Sequence, residues 1–83
     1  MEWKTYNRDN LLNVQTKETQ TWIGQLAKVT LMDGSIIEGA IREVGYAANK
    51  NKNDNIVEHL WVYLLIGDKR VSVTKINTLE IKK

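Results

Sequence analysis

A mainly β fold, a small and strongly bent five-stranded barrel with a short N-terminal helix or arm, is predicted by three observations on this chain. After Gln25 apolar and polar residues alternate at the two-residue period of a half-buried strand. The pair Asp33-Gly34 interrupts the alternation with hairpin-turn residues. Five positions on, Gly39 stands inside the next strand, where a residue without a Cβ lets a short sheet bend onto itself and remove its edges.

In chain order, residues 1–15 carry no clean period and read as a partly disordered arm that Trp3, Tyr6, Leu11, Leu12 and Val14 can each anchor to a core. Residues 16–83 form a single domain, because a chain of 83 residues has no material for a second core. Trp22, Ile23 and Leu26 fall at helical spacing and predict a short helix over 16–26. A strand follows with Ala27, Val29 and Leu31 on one face, then a type I′ turn at Asp33-Gly34 and a bent strand from Ser35 to about Tyr46. The polar run Ala47 to Asn55 separates it from "VEHLWVYLLI", whose core face is read as Leu60, Val62, Leu64 and Ile66. Gly67-Asp68 turns the chain into "KRVSVT", and "TLEI" completes the sheet with Leu79 and Ile81.

Net charge is only +2, but Lys69, Arg70, Lys75, Lys82 and Lys83 outnumber Asp68 and Glu80 from Leu60 onward, so an anion-facing surface belongs to the C-terminal third. A solvated face that keeps the chain soluble is the competing use of such a run. There is no cysteine and one histidine, which removes disulfides, thiolate cages and multi-imidazole zinc sites; no metal and no cofactor are expected. Lone His59 has no nucleophile at readable spacing, and Asp33, Glu38, Glu43 and Glu58 are scattered over turn and strand surfaces, so no enzyme is expected. With no apolar run of about 18 residues and no leader pattern, a soluble, cytoplasmic protein off the membrane is the expectation.

The stretch "DGSIIEGAIREVGYAAN" resembles the first motif of the Sm-like (LSm) family, with Asp33-Gly34, Gly39, Ile41, Val44 and Asn49 in register, and "LIGDKRVSVT" is similar to the second at Leu65, Gly67, Val71 and Val73. The resemblance covers roughly Trp22 to Ile81. It implies the SH3-like/Sm-like barrel, RNA binding, and a homo-oligomeric ring in which the fourth and fifth strands of neighbouring barrels pair edge to edge. Ala47 and Ile66 stand where the family's base-stacking side chain and arginine stand, and supply neither π-face nor cation, while Gly45 replaces the motif's aspartate.

Candidate contacts to RNA or single-stranded nucleic acid are therefore Tyr46 and Asn49 at the end of the bent strand and Lys69, Arg70 and Lys75 as phosphate partners. Asn49 has an ordinary use in bonding its own turn, and Tyr46 in packing over the barrel mouth. His59, Trp61 and Tyr63 alternate along one strand as a stacking platform or interface, with burial beneath Trp3, Tyr6 and Trp22 as the favoured alternative. A protein-protein interaction module that kept the barrel and lost the pocket is the second functional reading.

Overall fold

The structure, a computed structural model, describes residues 3–82, the side chains of 49 and 56–58 lying outside the description. Strand β1 (Trp3–Asn7) runs directly into helix α1 (Arg8–Leu11), followed by α2 (Thr16–Gln20), β2 (Leu26–Leu31), β3 (Ile36–Lys50), β4 (Ile56–Ile66), β5 (Lys69–Ser72), a 3-10 turn (Val73–Lys75) and β6 (Ile76–Lys82). The strands form one antiparallel sheet in the order β1-β6-β2-β3-β4-β5. Among the described residues no ladder joins β5 back to β1, so the sheet is not closed.

Strand β3 belongs to both halves of the sheet. Its first residues, to Ala40, pair with β2, and from Ile41 onward it pairs with β4. The crossing follows Gly39, which sits at φ +157°, and a Cβ there would come within 3.0 Å of Ile66 Cγ2. The backbone angle favours glycine, and any larger residue would press on the Ile66 side chain as well. Val29, Leu79 and Ile81 from one half then share a single core with Val44, Leu64, Ile66 and Val71 from the other, with Ile41 and Ile76 between them.

Local chemistry departs from the sequence reading at three places. In the β2–β3 turn only Gly34 has positive φ, at +92°, so the loop is not type I′. Instead the Gly34 amide bonds to the Leu31 carbonyl, and the Ser35 amide donates to the Asp33 carboxylate, as in a three-residue hairpin loop with glycine in the last place. The helix expected over 16–26 stops at Gln20, because Gln25 is drawn into the sheet by accepting the Ile41 amide at 2.9 Å. Strand β3 extends to Lys50, leaving a loop of 51–55 in which the Asn51 side chain accepts the amides of Asn53 and Asn55.

A further departure concerns which face of β4 is buried. Gly45 pairs with Tyr63 but Tyr46 pairs with Trp61, so Val62 is an extra residue, a β-bulge. One inserted residue exchanges the two faces. Leu60, expected in the core, is 42% exposed, whereas Trp61 is 3% exposed.

The arm is built into the fold. Tyr6 and Leu11 are buried, β1 pairs with β6 from Trp3↔Lys82 to Asn7↔Thr78, and Trp22 lies edge-on to both Tyr6 and Trp61 with centroids 5.3 Å apart. Trp61 Nε1 donates to the Leu11 carbonyl at 2.8 Å, which satisfies the one polar group of a buried ring. Burying an indole removes roughly 200 Å² from water, about 5 kcal/mol gross, and the arm supplies part of that cover through Tyr6 and Leu11.

Candidate nucleic-acid interface

The two halves of the sheet leave an open groove of about 480 Å³ beside β5, lined by Leu31, Ile37, Val62, Tyr63, Arg70, Val71, Ser72 and Lys75. Its apolar side chains come from the β2–β3 hairpin and from β4 and β5. Its polar groups come from β5 and the 3-10 turn. Three of the residues expected from sequence to meet a nucleic acid, Tyr63, Arg70 and Lys75, are brought together here.

Gly45, Tyr63 and Arg70 form a layered stack. Gly45 and Tyr63 are register partners, and a Cβ on Gly45 would fall 1.8 Å from Tyr63 Cε2. The ring therefore lies flat across a glycine, the arrangement that compensates a side-chain gap in a sheet with an aromatic neighbour. On the ring sits the guanidinium of Arg70, its Cζ 4.0 Å from the centroid. This is a cation–π contact, and Arg70 remains exposed above it. A side chain at position 45 would take the space that the ring occupies.

Lys75 closes the 3-10 turn and lines both the groove and a smaller cleft of about 230 Å³ with Leu31, Met32 and Asp33. Its carbonyl accepts the Met32 amide at 2.9 Å. Asp33 is held below the usual carboxylate range, chiefly by the Ser35 amide and to a smaller degree by the charge of Lys75. Among the described residues no carboxylate forms a salt bridge with Lys69, Arg70 or Lys75, so these cations are not neutralised by a direct contact. Lys69 is exposed at the start of β5, opposite Ile66, next to the groove rather than in it.

The other sequence candidates lie elsewhere. Tyr46 uses its hydroxyl on Thr19 Oγ1, 2.7 Å away, and so is tied to α2. Asn49 pairs through its backbone with Glu58, and its side chain is outside the described residues. His59 is exposed and lines a separate cleft of about 540 Å³ with Leu12, Asn13, Val14, Gln15, Thr16 and Leu60; its carbonyl accepts the Thr16 hydroxyl at 2.8 Å. Trp61 is under the arm and leaves the set of accessible rings. The stacking platform of three alternating side chains does not exist, because the bulge at Val62 puts Trp61 and Tyr63 on opposite faces.

Sequence reasoning missed the groove floor, Leu31 and Ile37, and it missed Arg8. The guanidinium of Arg8 reaches the 3-10 turn from α1, with Nη1 3.2 Å from the Thr74 carbonyl and 2.9 Å from that of Ile76. Contacts between residues this far apart in the chain leave no periodic signal. Among the described residues no group of three or more His, Asp or Glu side chains could hold a metal ion, and no helix is long and apolar enough to cross a membrane. Compared with protein-family models, with curated proteins and with solved structures, the chain matches none.

Proposed function

We propose that this chain is a non-catalytic, cytoplasmic Sm-like/SH3-like barrel that binds single-stranded nucleic acid, RNA in the first place, in the groove beside β5. The observation that carries the reading is the convergence of Arg70, stacked on Tyr63, with Lys75 above an apolar floor. An unpaired base can lie against the floor or on the guanidinium plane, and the N–H edge of Arg70, with Lys69 and Lys75, flanks it for the phosphates. Base stacking of this kind contributes roughly 1–3 kcal/mol per base.

The test is the salt dependence of binding to a labelled single-stranded RNA, followed by fluorescence anisotropy. With Lys69, Arg70 and Lys75 as the phosphate partners the logarithmic slope is about −2, so affinity falls about 20-fold between roughly 50 and 200 mM salt. Replacing Arg70 and Lys75 by methionine should remove most of that slope. A flat or absent response sinks the nucleic-acid reading.

A second reading, a protein-interaction module, is favoured by the outer edge of β5. Among the described residues that strand pairs only with β4, so a row of backbone groups is available to an extended peptide. A ring built by pairing β5 with a neighbour's β6 is disfavoured in both readings, since β6 already has β1 on one side and β2 on the other. We read the working form as a single chain.

A further inference from the structure

We infer that Arg8 is a positioning residue for Lys75, an inference that rests on the nucleic-acid reading of the groove. Three successive carbonyls, those of Thr74, Lys75 and Ile76, are each held from another part of the chain. Arg8 Nη1 donates to the first and third at 3.2 and 2.9 Å, and the Met32 amide donates to the second at 2.9 Å. The backbone of Lys75 is thereby fixed between α1 and the β2–β3 loop while its side chain lines the groove.

Arg8 is itself well placed to hold. It follows β1 without a linker, and Asn7 both pairs with Thr78 of β6 and caps α1 by accepting the Asn10 amide. The donor therefore rides on the strand that neighbours its acceptors. A guanidinium suits the task because a single Nη carries two N–H donors and so can meet both carbonyls, which a methionine of similar reach cannot do. Holding the Lys75 backbone lowers the ordering cost of placing its ammonium against a phosphate, so Arg8 assists binding without touching the ligand.

The experiment is a double-mutant cycle on the full chain, with Arg8→Met, Lys75→Met and the pair, read by RNA affinity at two salt concentrations and by hydrogen exchange at the Met32 amide. Arg8→Met should weaken binding about three- to tenfold, lower the salt slope toward that of Lys75→Met, and add nothing further once Lys75 is already replaced. It should also speed exchange at Met32, whose amide bonds to Lys75, while the far-UV circular dichroism stays that of the wild type. Additive losses would mean that Arg8 meets phosphate directly, and unchanged Met32 exchange would mean that it does not hold Lys75; either result overturns the inference. Failure of the wild type to bind RNA overturns the functional reading instead, and the exchange measurement still reports whether Arg8 holds the turn.

Discussion

At the scale of single residues, Gly45 shows how an absent side chain can be a structural requirement. From sequence it reads as a lost acidic residue. In the fold it is the seat of the Tyr63 ring, and the ring in turn carries Arg70. Gly45→Ala should force the ring off its seat, destabilising the protein by about 1–3 kcal/mol through overpacking. Urea denaturation measures this directly. The same substitution made in a Tyr63→Ala background should be neutral or stabilising, since alanine loses less backbone freedom in a strand than glycine. That change of sign separates the ring-seat explanation from a general intolerance of substitution at this site.

At the scale of elements, the outcome depended on which features are local. Strand identity, the turn at Gly34 and the bend at Gly39 were legible because each rests on a short-range pattern or on a residue with special backbone freedom. The face of β4 was not, since a bulge at Val62 is set by pairing with β3 and leaves no mark in the alternation itself. The arm was legible only in part for a related reason: Tyr6 and Leu11 could be picked out as anchors, but strand β1 rests on a ladder to the last strand of the chain, a contact no local pattern encodes. Of the site, the cations and Tyr63 were legible as residue types, whereas the floor residues and Arg8 required the topology. The arm also carries a pH dependence. Lys4 and the Tyr6 hydroxyl both meet the Glu18 carboxylate. Tyr6 is raised above the ordinary phenol range, first by burial and then by donation to Glu18, and Lys4 is raised through its contacts with Tyr6 and Glu18. The unfolded chain therefore gives up these protons at lower pH than the folded one. The stability they contribute is complete below about pH 10 and is lost as pH climbs through the folded values. Thermal melts on the alkaline side should fall steeply for the wild type and less steeply for Tyr6→Phe, which has no proton to lose; parallel curves would remove Tyr6 from the explanation.

At the scale of the whole molecule, an unclosed sheet must manage two edges. Here the ends of the strand order are β1 and β5, and β5 is only four residues long with Lys69 and Arg70 on it, which leaves room for a short peptide but discourages pairing with a second copy of the sheet. The edge of β6 would be longer, seven residues with a largely buried inner face, and β1 covers it. This gives the arm a task beyond stabilisation: it keeps a pairing-competent edge from meeting a second copy. Proline scanning of β1 tests that idea with an internal control. Along a strand successive amides point to opposite sides, so of Lys4→Pro and Thr5→Pro one removes a donor facing β6 and the other removes a donor facing outward. In sedimentation the wild type should run as a single chain at every concentration, as should the outward-facing variant. The variant that strikes the β6 ladder should associate as concentration rises, because loosening β1 exposes the edge beneath it. Two monomeric variants, or a wild type that already assembles, would show that β1 does not guard β6 against a second copy.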